Sequence, residues 1–184
     1  MNPERSAGFT LAEILVVVAI LAVIAGVALP LLSSQDSKKL EVAAQETGNA
    51  LRFAVSEARR TGSPVLVDAK TSSGHLKVVK SDATGANLGS VNDPLTKRAL
   101  DIDTAGSAFS GPVSMTASFM RSGTAYAQLL ITPATQLQVL KLEAFDGSTA
   151  NMGLLQSPSG IVLTLGATIV TVTINESTGF VAIP

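Results

Sequence analysis

The chain has no cysteine, no tryptophan, one histidine and one tyrosine, and only 15% of its 184 residues are charged. Without cysteine there is no disulfide framework and no thiolate metal site, although an exported domain can also do without it. Six phenylalanines and one tyrosine are too few for a platform that stacks the bases of a single strand. A formal charge of −1 lacks the basic field that would advertise nucleic acid or anionic lipid as a partner. A hydrophobic share of 46% rules out a disordered chain. The length suits one domain, with room for a further segment outside its core.

The apolar residues are unevenly placed. Ile14 to Leu32 forms a run of 19 without a charge, whereas 12 Lys+Arg and 12 Asp+Glu balance from Ser33 onward. As a helix the run spans roughly 28 Å, about the thickness of bilayer hydrocarbon. It is too long for a buried helix in so small a domain. It also exceeds the apolar region of a secretory signal peptide, usually about 7 to 15 residues, and Ala25-Gly26-Val27-Ala28 is only a weak cleavage candidate. Arg5 opposes Glu4 on one side and Lys38 and Lys39 follow on the other, so the flanking charges do not orient the segment. Glu13 opens the apolar run, where an ionised carboxylate is costly and needs a partner. Position alone allows a carboxylate wetted at the headgroup boundary or a functional one.

Gly8-Phe9-Thr10-Leu11-Ala12-Glu13, followed by the apolar helix, resembles the processing site of type IV pilins and type II secretion pseudopilins. The resemblance implies that a membrane-embedded prepilin peptidase cuts after Gly8 on the cytoplasmic side and methylates the new amino group of Phe9. It makes Glu13 the fifth residue after the cut and puts Pro30 where many pilins also carry a proline. In a filament the Glu13 carboxylate would pair with the Phe9 ammonium of a neighbour, offsetting two desolvation costs and fixing the axial stagger. Ala19, Ala22, Ala25 and Gly26 would let helices approach closely, or are simply the small residues common in membrane helices. Pro30 removes one helix hydrogen bond and Gly26 loosens the turn before it, so a kink or local melting is expected at these two residues.

Beyond Pro30 the helical period continues. Leu40, Ala43, Ala44, Thr47, Leu51, Ala54, Val55 and Ala58 make one apolar stripe, with Lys38, Glu41, Gln45, Arg52 and Arg59 mostly off it. Gly62 and Pro64 are the stop, so one helix is expected from about Phe9 to Arg60. Its Ala-rich stripe implies close packing on a sheet, and Gly48 within it costs about 1 kcal/mol against alanine. The rest reads as β. Strands are expected at Pro64–Ala69, His75–Lys80, Val113–Met120, Tyr126–Thr132, Leu137–Phe145, Ile161–Leu165, Thr168–Asn175 and Phe180–Ile183. Asn175 to Gly179 should close a hairpin, Asp146-Gly147-Ser148 a turn, and Ser81–Asp93 a mobile loop.

Two further stretches narrow the resemblance. Gly48 to Val65, and Val172-Thr173-Ile174 with Ser177 to Val181, are similar to the helix end, first strand and last hairpin of the H-type minor pseudopilin and FimT-like minor pilin family. Lys70 to Gly160 aligns with nothing. Members of that family implicated in DNA uptake carry basic residues around the final glycine, whereas no Arg or Lys follows Lys141 here, which argues against DNA binding.

No motif reads as catalytic. His75 lacks an identifiable nucleophile and orienting acid, and an exposed or edge-strand histidine is expected. Asp101-Ile102-Asp103 would put two carboxylates on one face if extended, but a calcium site needs about six oxygens, so solvated acids are expected. Gly85 to Gly89 lacks the Lys-Ser/Thr of a phosphate loop.

The expected fold class is therefore α+β and pilin-like: a long N-terminal helix, half transmembrane and half amphipathic, packed on an antiparallel β-domain. The expected organisation is a leader at 1–8, an assembly helix at 9–32, its amphipathic continuation at 33–62 and a periplasmic β-domain at 63–184. No enzyme activity and no cofactor or metal are expected. The partners implied are a prepilin peptidase, other pilin or pseudopilin subunits, an inner-membrane assembly platform and membrane lipid, with no nucleic acid. The resemblance points to a minor pseudopilin of a type II secretion system, anchored in the inner membrane by a single pass. The alternatives are a minor pilin of a type IV pilus, or a signal-anchored periplasmic binding domain.

Overall fold

A computed structural model describes residues 10–70, 74–106, 112–134 and 140–184, without the side chains of 26–35. Helix α1 runs Leu11–Thr61. The strands are β1 Val65–Asp68, β2 His75–Ser81, β3 Asn87–Ser90, β4 Asp101–Asp103, β5 Ser114–Arg121, β6 Thr124–Tyr126, β7 Gln128–Pro133, β8 Leu140–Phe145, β9 Gly153–Leu154, β10 Gln156–Leu165, β11 Thr168–Ile174 and β12 Val181–Ala182, with a 3-10 turn at Thr149–Asn151. The fold is thus α+β. The chain forms two compact units, Met1–Ser37 and Lys38–Pro184.

The second unit is built on two antiparallel sheets. The larger has the order β3-β2-β1-β7-β8-β9, with β4 also paired to β2, and the smaller β12-β11-β10-β5-β6. The apolar stripe of α1 meets them. Leu40, Ala43, Thr47, Leu51, Ala54 and Ala58 are fully buried, and Ala44 and Val55 nearly so. They share one core with Val67 and Ile131 of the larger sheet and Phe119, Ile161 and Leu163 of the smaller. Small residues on the stripe let the helix backbone approach, and Leu51 fills the remaining depth. Truncating Leu51 to alanine would cost about 2–5 kcal/mol.

Strands β1 and β7 are buried on both faces. Leu66 and Leu130 pair in register and turn away from the helix, into a second cluster with Val79, Phe145 and Met152. This explains why Val65-Leu66-Val67 and Leu129-Leu130-Ile131 read as unbroken apolar runs rather than alternating ones. The helix ends as expected, with Gly62 N–H donating to the Ala58 carbonyl at 3.1 Å.

Two expectations are corrected. Ser81–Asp93 is not simply a loop: β3 lies within it and pairs with β2, Val79 opposite Ser90 and Lys80 opposite Gly89. The single strand expected at Tyr126–Thr132 is two, because Tyr126 ends β6 in the smaller sheet and Gln128 begins β7 in the larger. Helix α1 runs through Gly26 and Pro30.

Candidate functional site: the helix start and the two edges of its buried face

Gly8 and Phe9 lie outside the described residues, as do the side chains of Gly26 and Pro30. Glu13 is described, and its position has a local cause. Thr10 N–H and Oγ1 donate to Glu13 Oε2 at 2.8 and 3.0 Å, and Glu13 N–H donates to Thr10 Oγ1 at 3.3 Å. This is a reciprocal capping box, in which a threonine before the helix and a glutamate three residues on satisfy each other's amides. The Thr-x-x-Glu signal was readable in the sequence, but the reading of Glu13 as an assembly residue obscured it. Within the first unit, every large apolar side chain from Leu11 to Ile24 is more than half exposed. A contiguous apolar surface of that extent marks a face made for lipid or for other protein. Among the described residues no helix is long and apolar enough to cross a membrane; the uncharged run continues into residues 26–32, whose side chains are not described.

The amphipathic half of α1 carries polar residues along both edges of its buried stripe. On one edge, Arg52 Nε and Nη2 donate to the Val181 carbonyl at 3.3 and 3.0 Å, and Arg59 Nη2 donates to the Thr178 carbonyl at 2.9 Å. The hairpin they hold is shaped by Asn175, whose Oδ1 accepts from the Ser177 and Thr178 amides at 3.1 and 2.9 Å. The two stretches singled out in the sequence, Gly48–Val65 and Val172–Val181, are thereby brought together. Between them opens a groove of about 1070 Å³, with Val55, Leu140 and Phe180 as apolar lining and Arg52, Arg59 and Arg60 around it. Arg60 is held by the carboxylate of Glu57, at 2.7 and 2.9 Å.

On the other edge a groove of about 580 Å³ lies between Glu46, Asn49 and Phe53 of α1 and the segment 93–103. Its carboxylates are Glu46, Asp93, Asp101 and Asp103. Burial pushes the Glu46 carboxyl up from its ordinary value. The 93–98 turn is tightly ordered. Asp93 Oδ1 accepts from Leu95 N–H at 3.0 Å and Oδ2 from the Thr96 hydroxyl at 2.8 Å, while Asp93 N–H donates to the Arg98 carbonyl at 2.8 Å. It displays Leu95 with 90% of its surface exposed.

Asp101-Ile102-Asp103 is extended, as β4, and both carboxylates face His75 on β2. Asp101 Oδ1 lies 3.3 Å from Nδ1 and Asp103 Oδ2 lies 3.6 Å from Nε2. Among the described residues no group of three or more His, Cys, Asp or Glu is arranged to hold a metal ion. Sequence reasoning had the histidine and the two aspartates separately but not their meeting, because β4 is too short to announce its partner.

A family model described as a prokaryotic N-terminal methylation motif matches residues 4–29. The match supports the type IV pilin-like or pseudopilin class, implies processing by a prepilin peptidase and assembly with other pilin subunits, and suggests membrane anchoring through the N-terminal helix. Searches of curated proteins and of solved structures each find no match.

Proposed function

We propose that the chain is a minor pseudopilin of a type II secretion system. It is inserted in the inner membrane, cut after Gly8, N-methylated on Phe9, and packed by its N-terminal helix into a short periplasmic filament or its tip. The observation that carries this reading is the methylation motif over residues 4–29, on a chain whose helix then packs into a β-domain. Its work is assembly, with no turnover of its own; it is the substrate of a peptidase. Glu13 takes the Phe9 ammonium of a neighbouring subunit, exchanging its capping bond to Thr10 for an intermolecular one in a site poor in water. Gly26 and Pro30 let the helix bend within the bundle. What favours an H-type subunit over other pseudopilins is the grip of Arg52 and Arg59 on the last hairpin, which joins the two stretches similar to that family.

The test is intact mass and N-terminal analysis of the chain coexpressed with a prepilin peptidase, beside a Gly8→Ala control. A product starting at N-methylated Phe9, absent from the control, is expected. An uncut amino terminus despite active peptidase overturns the reading and leaves a signal-anchored β-domain. A minor pilin of a type IV pilus would be cut in the same way, and pull-down of the filament it enters separates the two.

A further inference from the structure

On the face of the larger sheet that turns away from α1, Asp68 of β1, Gln128 of β7 and Phe145 of β8 stand opposite one another in register. Paired residues point to the same side of a sheet, so the three form one row. That row is the floor of a recess of about 500 Å³, walled by the loop at 84–87 and the turn at 147–149. Both walls are fixed from within. Asp82 Oδ1 accepts from Thr84 N–H at 2.8 Å, its hydroxyl at 2.6 Å and Ala86 N–H at 3.0 Å. Asp146 Oδ1 accepts from Ser148 N–H at 2.8 Å and Oδ2 from the Asn151 amide at 2.6 Å. Gly85 lies against the Phe145 ring, which a Cβ there would overlap. Walls already held in place lose little freedom when a ligand enters.

Gln128 is only 7% exposed, and its Oε1 has no hydrogen-bond partner. A buried acceptor without a donor is destabilising, and natural folds keep few of them. Nearby, Gly147 has φ +100°, and the point where its Cβ would stand lies 3.7 Å from Lys70 Nζ and 3.9 Å from Gln128 Oε1. Lys70 Nζ gives one N–H to the Asp146 carbonyl at 2.8 Å and, as an ammonium, keeps two more. A group in that gap must accept from a cation and donate to a carbonyl oxygen. A hydroxyl does both; a carboxylate has no proton for Gln128, and an ammonium is repelled by Lys70. Asp68 adds a further acceptor to the floor, and its charge offsets that of Lys70. We propose that this recess binds a neutral polyhydroxylated ligand, a sugar, with one hydroxyl bridging Lys70 and Gln128 and another donating to Asp68. The volume lies within the usual range for small-ligand sites, about 300–1,000 Å³. The site does not depend on the pilin-like reading, since it uses neither the N-terminal segment nor α1.

The test is saturation-transfer NMR on the full-length chain in lipid nanodiscs, free of sugar-headed detergent. Two probes are used: maltotriose for plain glucans, and the N-acetylglucosamine trimer for the amino-sugar glycans of cell walls. Transfer to the ring protons of at least one trimer is expected, and the trimer that receives it names the source. Gln128→Leu and Lys70→Met should each lower the transfer several-fold, whereas Leu95→Ser, on an exposed turn outside the recess, should leave it unchanged. Circular dichroism verifies that each variant is folded. Without sugar, the urea midpoint of Gln128→Leu should equal or exceed that of the parent, because the acceptor removed had no partner. A lower midpoint overturns the proposal, since the amide would then hold the fold together. No transfer to either trimer from the folded parent also overturns it and leaves a recess filled by water only. So does transfer that survives both substitutions in the recess.

Discussion

Ile183, next to the last residue, fills the space a side chain at Gly48 would need: a Cβ built there would lie 2.5 Å from Ile183 Cδ1 and Cγ1. A glycine inside a helix is a cost in the sequence and a seat in the structure. It lets the end of the chain lie against the helix, next to strand β12.

Enlarging that residue should therefore loosen the terminus. Gly48→Leu is expected to cost about 2–4 kcal/mol, since a packed core accommodates added volume only by straining its neighbours. Gly48→Ala should cost much less, because helix propensity returns about 1 kcal/mol and the tip of Ile183 can turn away. Thermal unfolding of Gly48→Ala, Ile183→Ala and the double variant should be non-additive, with the double more stable than the sum of the singles implies.

Gly160 is less forgiving. A Cβ there would fall within van der Waals overlap of the Val172 carbonyl oxygen and Thr173 Cα, backbone atoms of the strand it pairs with. Backbone cannot swing aside, so Gly160→Ala is expected to cost about 2–3 kcal/mol and lower Tm by roughly 5–10 °C, read by calorimetry.

The grip of α1 on the last hairpin should be visible locally. Arg52→Ala removes both bonds to the Val181 carbonyl, from a half-exposed site where charge-assisted bonds contribute about 1 kcal/mol. Hydrogen exchange should speed up at Val181 and Ala182 while the amides of β1 and β7 keep their protection.

Acid should act in two opposite directions. The Asp82 carboxyl is held below its ordinary value first by the Thr84 hydroxyl and then by the Ala86 and Thr84 amides, and that of Asp146 first by the Asn151 amide and then by Ser148 N–H. Both are depressed in the fold, so the unfolded chain takes protons first and their contribution drains away as pH falls below about 4. Glu46 is raised by burial, so the folded chain takes its proton first and gains stability as pH falls from neutral toward the ordinary glutamate range. Urea midpoints against pH should show the second trend vanish in Glu46→Gln and the first weaken in Asp82→Asn.

Much of this was readable in the chain. The eight stripe residues from Leu40 to Ala58 and the Asn175–Gly179 hairpin declare themselves through period and turn chemistry. Strands of two to four residues do not. Asn87–Ser90 is exposed along its whole length and rich in turn formers, so no alternation marks it; backbone pairing with β2 alone makes it a strand. Strand β10 reaches back to Gln156 through a polar, irregular stretch that an apolar-run reading stops at Ile161. The grooves were not legible at all, because each joins helix residues to segments about 40 to 130 positions away. The charges on α1 looked like a solvated face until their neighbours were known.

The pairing of Thr10 with Glu13 bears on what proteolysis would do to the molecule. Both partners lie on the carboxyl side of the Gly8–Phe9 bond, and the first helical residue, Leu11, follows them. Hydrolysis of that bond leaves both capping partners, Thr10 and Glu13, in the shortened chain. The shortened chain therefore carries its own helix cap beside the new amine, and an amine that draws the Glu13 carboxylate away must compete with the Thr10 amide and hydroxyl for it.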